Sequence, residues 1–268
     1  MTGALHRLIA EAKVYDLGRP LFIGMPQSPN HPPYYHTLPR RHGDMVRPDG
    51  SSAANDMITM GTHVGTHIDA LAHVSFQGKL HGDVDVEFAC NGGRFMGLGV
   101  HTIEPIVRRG VLLDIPRLLG RDCPPGYEIT VADLEAACSA QRIEIAPGDV
   151  ALIRSGWGKR FDEGALSYLG HDTGVPGVSA AGAEWLRDKR VHAAGADTVA
   201  FERLAPASGH SLLPAHNLLL VQAGIYIVEA LDLEGLAGDR VDEFTFVLSP
   251  LKLMGATGSP VRPLALVS

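Results

Sequence analysis

Residues 63–73 of the chain read His63-Val64-Gly65-Thr66-His67-Ile68-Asp69-Ala70-Leu71-Ala72-His73. Three imidazoles and one carboxylate fall within this stretch, and its other residues are small or apolar. Neutral imidazole and carboxylate are the usual ligands of zinc, manganese or iron at a catalytic site. The stretch is therefore a candidate metal-binding motif.

The spacing of these polar residues predicts the local backbone. In an extended chain, positions 63, 67, 69 and 73 have the same parity and project toward one face. Gly65, between the first two histidines on that face, would leave room for an ion. A continuous helix fits worse, because it would turn Asp69 about 200° away from His67. We expect a strand that enters a loop, with a metal on its inward face.

The alternative for these histidines is a structural role. The chain has 13 His, and a single histidine is more often a satisfied surface or core group than a ligand. Four such polar residues together in an apolar context favour ligation, because burying unpaired polar groups costs free energy.

Length and composition are those of an ordinary globular enzyme. The chain has 268 residues, enough for one large domain or two small ones, and is 45% hydrophobic and 20% charged. Its net charge of −7 argues against nucleic-acid binding, which needs a basic face. No apolar stretch is long enough to span a membrane, and no secretory signal is recognisable. Three scattered cysteines fit neither a disulfide framework nor a metal knuckle, so we expect a reducing cytoplasm.

Residues 26–50 are rich in proline, histidine and arginine. Four prolines between positions 26 and 33 argue against a helix. We expect a long irregular loop, which is more often a lid or binding loop than filler. Tyr34, Tyr35 and His36 in this loop could stack on a flat substrate or could merely cover the core.

Hydrophobic patterning predicts a mixture of strands and helices. Strands are predicted at residues 111–115, 149–157, 191–194, 225–230 and 243–248. Helices are predicted from the capping signal Thr130-Val131-Ala132-Asp133 to about Gln141, from Ser179 to about Arg190, and at residues 232–237. Without a strict βαβ rhythm, a mixed-sheet α/β domain is favoured over a barrel or Rossmann fold. The absence of GxGxxG, P-loop and G-x-S-x-G motifs disfavours dinucleotides, nucleoside triphosphates and serine hydrolysis.

Polar residues later in the chain could complete the site. His216 opens the apolar run 217–221, and Glu229 ends the apolar strand 225–229. A buried carboxylate is costly unless it binds a metal or a ligand histidine; the alternative is a strand end that emerges into solvent. Asp197 is predicted to be a structural acceptor of backbone donors. Ser259 lies in a glycine-rich turn that could bring its hydroxyl near the site.

The motif resembles the signature of a known family. H-x-G-T-H-x-D-x-x-x-H, matched by residues 63–73 at every fixed position, is typical of the cyclase family of metal-dependent hydrolases, which includes bacterial kynurenine formamidase and isatin hydrolase. The likeness covers most of the chain. It extends to DLGRP at 16–20, GMP at 24–26, GDVALIRSGW at 148–157, and segments 216–231 and 255–266. The length and the TGSPVRP ending are closer to the isatin-hydrolase-like branch.

The resemblance implies a role for each motif residue. It makes His63, His67 and Asp69 metal ligands and His73 the catalytic acid or base. It also implies a swivelling β/β/α domain that spans residues 1–268 as a single domain, usually in a homodimer.

Positions outside the motif leave two questions open. In formamidases a second zinc is held by a later His and Glu, which match His216 and Glu229 here. Their separation is one residue longer than expected for formamidases, so one or two metals both stay possible. His81 stands where the family has a tyrosine. Together with Tyr34, Tyr35 and Ser259, it is a candidate substrate-binding residue.

The favoured hypothesis is a metal-dependent amidohydrolase that uses Mn²⁺ or Zn²⁺ and acts on a small molecule. It would cleave the C–N bond of an isatin-like lactam through a metal-bound hydroxide, with His73 moving the proton. Alternatives are an arylformamidase acting on N-formylkynurenine, a metal-dependent lyase or dehydratase, and a non-enzymatic protein in which the ion only stabilises the fold. A closed structural zinc site needs four protein ligands. The motif offers three, which favours catalysis.

Overall fold

The structure, a computed structural model, describes residues 2–268. In chain order its strands are β1 (Lys13–Asp16), β2 (Tyr35–Arg40), β3 (Asn55–Thr59), β4 (His67–Asp69), β5 (Lys79–Leu80), β6 (Val84–Asp85), β7 (Cys90–Asn91), β8 (Arg94–Phe95), β9 (Ile106–Asp114), β10 (Glu128–Ile129), β11 (Val150–Arg154), β12 (Gly177–Val178), β13 (Ala193–Ala196), β14 (Tyr226–Glu229), β15 (Glu243–Leu248), β16 (Gly258–Pro260) and β17 (Leu264–Val267). Its helices are α1 (Thr2–Glu11), α2 (Val86–Ala89), α3 (Ile115–Leu119), α4 (Val131–Gln141), α5 (Ala165–Leu169), α6 (Ala180–Asp188), α7 (Pro214–His216) and α8 (Glu234–Gly238). A π-helix (Asn217–Ala223) follows α7 directly, and 3₁₀ helices cover His81–Asp83, Val100–Thr102 and Trp157–Glu163.

Nine strands form the central sheet, in the order β1-β17-β15-β9-β11-β13-β14-β4-β16. Strand β11 pairs in parallel with β9 and with β13, and β13 pairs in parallel with β14. The other pairings in this sheet are antiparallel. The remaining strands form two-stranded ribbons, β10 with β12, β2 with β3, β5 with β6, and β7 with β8. The predicted mixed-sheet α/β fold is confirmed.

Both faces of the parallel strands are buried in apolar clusters. On β9, Val111 and Leu113 pack with the cluster that includes residues of α4 and α6, whereas Leu112 points into the other cluster. Side chains alternate along a strand, so a continuous apolar run fills both sides. This explains why β9 and β11 appear in the sequence as unbroken apolar stretches.

Helix starts follow the local capping chemistry. Thr130 accepts a hydrogen bond from the Asp133 N–H, and the Asp133 carboxylate accepts one from the Thr130 N–H, which fixes the start of α4. Ser179 accepts from the Gly182 N–H at the start of α6. Both predicted N-caps are confirmed, and β15 has its predicted bounds.

Other boundaries shift by a few residues. β9 begins five residues before its predicted start and ends at Asp114, because α3 follows with Pro116 in its first turn. β13 lies two residues later than predicted, and α8 begins two residues later. Such offsets are expected, because burial of a strand end is decided by its neighbours in the sheet.

The segment predicted as one irregular loop contains a strand. β2 pairs with β3, and every residue of both strands is exposed. The prediction is therefore wrong for Tyr35–Arg40. Pro39 is tolerated there, because an edge position in a two-stranded ribbon loses no inner hydrogen bond. Residues 26–34 remain irregular.

None of the helices among residues 2–268 has the length and apolar character needed to cross a bilayer.

Candidate metal centre

Strand β4 presents two motif side chains to one face of the sheet. It lies between β14 and β16, with His67 opposite Glu229 and Asp69 opposite Gly258. The intervening Ile68 points to the other face and is fully buried. The predicted parity is thus confirmed for His67 and Asp69.

The rest of the motif is not extended. His63 lies in a turn before β4, and after β4 the His73 N–H donates to the Ala70 carbonyl (2.9 Å). The predicted strand that enters a loop is confirmed for β4 and the residues after it, but His63 precedes the strand in a turn, so the prediction of an extended backbone is wrong there. Gly65 has φ 68°, and a Cβ there would lie 2.6 Å from Leu21 Cδ2. This glycine permits a left-handed turn packed on Leu21 and does not make room for an ion.

The turns still bring His63 and His73 to Asp69. His63 Nδ1 donates to Asp69 Oδ1 (2.6 Å), and His63 Nε2 lies 3.0 Å from Thr257 Oγ1. The His73 ring stacks on the His63 ring with centroids 3.8 Å apart. Gly258 borders the same ring so closely that a Cβ would lie 2.4 Å from His63 Cε1. Only glycine therefore leaves His63 in this position.

The two later candidates, His216 and Glu229, join the cluster. His216 Nε2 lies 3.5 Å from Asp69 Oδ2 and 3.2 Å from Glu229 Oε1. Glu229 Oε2 lies 3.4 Å from His67 Nε2. Both residues are buried. The alternative in which Glu229 emerges into solvent is wrong.

A π-helix between His216 and Glu229 can take up the one residue by which their separation exceeds the one expected for formamidases. Each of its turns takes in one more residue than a turn of α-helix. The Gly224 N–H accordingly donates to the Leu219 carbonyl, five residues back. The wider turn takes up this residue within the helix. Strand β14 therefore still pairs with β4 so that Glu229 lies opposite His67.

Two acceptors orient the His67 and His216 rings. The Gly65 carbonyl accepts from His67 Nδ1 (2.8 Å), and Glu202 Oε2 accepts from His216 Nδ1 (2.5 Å). Each ring therefore turns Nε2 toward the carboxylates, where an ion would bind. Sequence reasoning misses Glu202, although a carboxylate directly after the apolar run 199–201 is the same kind of signal that identifies Glu229.

The two central carboxylates are ionised despite their burial. Burial alone would raise the pKa of Asp69, but its electrostatic interactions with the surrounding imidazoles of His73, His216 and His63 outweigh burial and hold this pKa well below its usual range. Burial is likewise outweighed at Glu229, where His216 and His67 lower the pKa to about 2. The centre therefore carries two negative charges at neutral pH.

The same charges act on the histidines. Burial lowers the pKa of His216, yet Glu202, Asp69 and Glu229 together raise it well above its ordinary value. Burial also opposes a charge on His67, but the hydrogen bond with Glu229 and the charge of Asp69 raise its pKa overall. Without an ion, a proton on His216 offsets part of the negative charge of the carboxylates.

The donor set fits a divalent cation. Asp69 is fully buried, and its Oδ2 has no hydrogen-bond partner among residues 2–268, which is costly unless a cation meets it. Two groups of potential ligand atoms share this residue, and within each group the atoms lie within 4.8 Å of one another: His63 with Asp69 and His73, and His67 with Asp69 and Glu229. Imidazole and carboxylate donors suit zinc and manganese.

His73 differs from the other rings in its charge. Burial lowers its pKa to about 3, and the opposing charge of Asp69 does not offset this. The ring is therefore neutral at physiological pH. The ring lies at the wall of the cavity, where it can contact a bound molecule.

A cavity of about 200 Å³ opens onto the cluster. Apart from the cluster and its immediate neighbours in sequence, its walls are formed by Pro26, Gln27, Ser28, Asn30, His31, Tyr168, Val199, His210 and Leu213. The segment predicted as a binding loop thus faces the cluster through residues 26–31. Sequence reasoning misses His31, Tyr168 and His210, because only the fold brings these distant positions together.

The four candidate substrate-binding residues lie outside this cavity. Tyr34 packs against an apolar cluster, and Tyr35 is exposed on β2. His81 Nδ1 donates to the Val221 carbonyl (2.9 Å) at the end of the π-helix. Ser259, on β16, lies opposite Ile68 of β4, and its hydroxyl donates to the Pro260 carbonyl (2.8 Å). The positions of these four side chains therefore do not support contact with a substrate bound in this cavity.

Asp197 is the predicted structural acceptor. Its carboxylate accepts from the backbone N–H groups of Ser155 (2.9 Å), Gly156 (2.9 Å) and Gly158 (3.2 Å). The prediction is confirmed, and the residue holds the turn that follows β11.

Comparison with known proteins identifies the family. The family model described as "Putative cyclase" matches residues 15–203. The chain belongs to the cyclase family. The resemblance seen in the motif is thereby confirmed.

Curated relatives in the cyclase family include enzymes with two different names. Isatin hydrolase from Roseibium aggregatum is 27% identical over 221 residues, covering 82% of this chain and 77% of the relative. Kynurenine formamidase from Geobacillus thermodenitrificans is 29% identical over 209 residues, covering 76% of each.

Solved structures share the fold. One described as a novel cyclase has a TM-score of 0.86 at 32% identity, covering 98% of this chain and 91% of that one. Isatin hydrolase A from Ralstonia solanacearum has a TM-score of 0.78 at 25% identity, covering 100% and 97%. A predicted metal-dependent hydrolase from Bacillus stearothermophilus has a TM-score of 0.62 at 26% identity, covering 95% and 98%. The expected cyclase-like fold is confirmed.

Proposed function

We propose that this cyclase-family protein is a metal-dependent hydrolase that cleaves the C–N bond of a cyclic amide of the isatin-like lactam class. The observation that carries the proposal is the buried Asp69 carboxylate, whose free Oδ2 faces a cluster of imidazoles at the base of a cavity. The relative named isatin hydrolase supports the choice of substrate class.

His63, His67 and Asp69 would hold the ion, for which Mn²⁺ and Zn²⁺ are both suitable. When bound, the ion would supply a Lewis acid that lowers the pKa of water and polarises the scissile carbonyl. The Gly65 carbonyl would keep the ligand ring of His67 in place through Nδ1, and Glu202 would hold the neighbouring His216 ring in the same way.

His73 would move the proton. Its ring lines the cavity beside His63, so it is placed to take a proton from the attacking water and return it to the leaving nitrogen. The cavity of about 200 Å³ would enclose a compact substrate between the motif and residues 26–31. The wall formed by this segment would limit the access of bulk water to the substrate.

A second candidate is an arylformamidase that acts on N-formylkynurenine. It is favoured by the position of Glu229 against both His67 and His216, the arrangement expected for a second ion. The relative named kynurenine formamidase also supports it. We further propose that residues 1–268 form one hydrolase domain.

The test compares both substrates directly. The purified protein, loaded with Mn²⁺ or Zn²⁺, would be assayed with isatin and with N-formylkynurenine, beside a chelator-treated control. Ring opening of isatin that is lost with chelator supports the lactam hydrolase. Turnover of N-formylkynurenine alone supports the second candidate, and activity that survives chelation contradicts both.

The role of His73 is tested by His73→Ala. We expect metal content to stay unchanged and turnover to fall roughly a hundredfold or more, because only the proton carrier is lost. His171→Ala is the control, since this exposed histidine lies outside the centre. A His73→Ala protein that loses its metal would identify His73 as a ligand.

A further inference from the structure

We propose a second binding site, separate from the metal centre, for a small phosphate-bearing ligand. It is a surface pocket, here called the basic pocket, formed by Arg108, Arg187, Arg190, His192 and Gln222 around Gly148. This inference is independent of the proposed hydrolase activity.

The basic pocket lies at the amino-terminal edge of the parallel strands. His192 directly precedes β13, and the lining residue Ile225 directly precedes β14. The metal centre uses Glu229 at the opposite end of β14, roughly 13 Å further along at 3.3 Å per residue. The basic pocket and the cavity of the metal centre have no lining residue in common.

Three arginines from separate parts of the chain converge in this volume of about 400 Å³. Arg108 comes from β9, Arg187 from α6, and Arg190 from the segment after α6. Gly148 has φ 88°, and a Cβ there would lie 3.3 Å from Arg108 Nη1. The turn at Gly148 therefore leaves space beside the guanidinium group.

These positive charges are not neutralised by the protein. No acidic residue lines the basic pocket, and among residues 2–268 neither the Arg108 nor the Arg190 side chain has an ion-pair or hydrogen-bond partner. Arg187 pairs only with its exposed neighbour Asp188 (3.0 Å). By contrast, Arg109 on the same strand as Arg108 pairs with two carboxylates. The chain as a whole has a net charge of −7, yet these three guanidinium groups share only one ion pair with a carboxylate. We therefore expect them to attract an anion.

The position of α6 does not explain the pocket by itself. Arg187 and Arg190 lie near the carboxyl end of this helix, where cations interact favourably with the helix dipole. The helix dipole does not explain the presence of Arg108, which belongs to strand β9.

The geometry favours a phosphate group over a single carboxylate. A phosphate monoester carries a charge of roughly −1.5 to −2 and three acceptor oxygens, which can be shared among several guanidinium forks. His192 stays neutral, because burial and the charge of Arg108 lower its pKa, and a neutral ring still offers one N–H donor. The Gln222 amide could bind the group that carries the phosphate.

The test uses the metal-loaded full chain and isothermal titration with inorganic phosphate and with glycerol phosphate. We expect saturable binding at one site, weakened roughly tenfold or more in Arg108→Gln and in Arg190→Gln, because each loses charge-assisted hydrogen bonds. Arg41→Gln is the matched control, since it removes an exposed arginine outside the pocket and should bind as the unmodified protein does. Thermal unfolding would verify that all three variants fold.

Binding at the metal centre is distinguished by Asp69→Asn and by chelator treatment. Phosphate binding that persists in both supports the basic pocket. Binding lost in both and kept in the arginine variants would place the phosphate on the metal and overturn the proposal. Equal binding in all variants, or binding of malonate in place of phosphate, would also overturn it.

Discussion

At the scale of single residues, the candidate metal centre is organised around one carboxylate. Asp69 lies within 3.5 Å of three imidazoles, those of His63, His67 and His216. It is common to both groups of potential ligands. Loss of this one side chain should therefore disturb every ligand, whereas loss of any histidine should disturb only part of the set.

Metal binding should release protons. The pKa of His216 is raised well above its ordinary value in the metal-free protein, and that of His67 is raised as well, so the His216 ring holds a proton at neutral pH, whereas a ligating imidazole must give one up. We expect release of at least one proton per protein at pH 7 and an apparent affinity that rises with pH as these rings deprotonate. Titration calorimetry in two buffers of different ionisation enthalpy measures this release.

Glu202→Gln is the matched variant for this experiment. It keeps the acceptor for His216 Nδ1 but removes the negative charge that helps raise the pKa of His216. Fewer protons should then be released, and the affinity should fall roughly 10- to 100-fold. Metal binding with no proton release in either protein would contradict the charge state derived for these histidines.

Gly258→Ala should displace His63 without unfolding the chain. The new Cβ would lie 2.4 Å from the His63 ring, which must move to avoid it. We expect metal affinity to fall at least about tenfold, measured by competition with a metal indicator. Gly238→Ala is the control, since a Cβ there meets no atom within 4 Å. Equal affinities in the two variants would show that the position of His63 is unimportant for binding.

Much of the centre can be predicted from sequence at this scale, for a physical reason. His216 and Glu229 stand out because a polar residue within an apolar run must find a partner when buried. Glu202 carries the same signal more weakly. His31 and His210 carry none, because their neighbours in sequence are ordinary loop residues and only the fold brings them to the cavity.

At the scale of elements, the π-helix has the clearest functional consequence. It converts a chain segment one residue longer than expected into the same spatial connection between His216 and β14. The His81 ring lies against the end of this helix and donates to its Val221 carbonyl. A side chain at Gly224 would collide with that ring, at 2.5 Å from Nε2.

Deletion of Gln222 should be tolerated. This exposed residue lies in the π-helix, and its removal should allow the segment to form an α-helix while His216 and Glu229 keep their places. We expect a folded protein that still binds metal, with a melting temperature lowered by only a few degrees.

Deletion of Ser139 is the comparison for this prediction. Ser139 is also exposed, but it lies in the α-helix α4. Its loss would rotate Gln141 away from the Leu112 carbonyl and the Asp114 N–H. We expect a much larger loss of stability, and equal effects of the two deletions would contradict the role given to the π-helix.

Elements with local signals can be predicted from sequence, and those set by pairing cannot. The N-caps Thr130 and Ser179 are local, which is why α4 and α6 begin as expected. Strand β2 depends on β3, some fifteen residues later, and its proline suggests a loop. The π-helix depends on a one-residue shift in hydrogen bonding that hydrophobic periodicity does not resolve.

At the scale of the whole molecule, an ion would connect distant parts of the chain. Its proposed ligands come from β4 and the turns around it, and His216 and Glu229 come from elements far along the chain. Binding restricted to the folded state stabilises that state by mass action. The expected homodimer stays a prediction.

Metal removal should therefore lower thermal stability. At a free metal concentration of 100 times Kd, binding contributes about 2.7 kcal/mol. For a chain of this size, this corresponds to a rise in melting temperature of roughly 5 to 11 °C over the chelated protein. Differential scanning calorimetry with Mn²⁺, Zn²⁺ and chelator measures the shift. Asp69→Asn should show no such shift, and the same shift in this variant would place the stabilising ion elsewhere.

The position of β4 between β14 and β16 also sets the time at which the centre can form during synthesis. Its closest partners on those strands are made about 160 and 190 residues after Asp69. At 5–20 residues per second, Asp69 is added to the chain roughly 8 to 32 s before Glu229. Until then the nascent chain carries the motif histidines without the strand against which they pack. The centre is therefore assembled only after nearly the whole polypeptide has been translated, and any ion captured earlier would lack the contacts of His216 and Glu229 and the packing of β14 and β16.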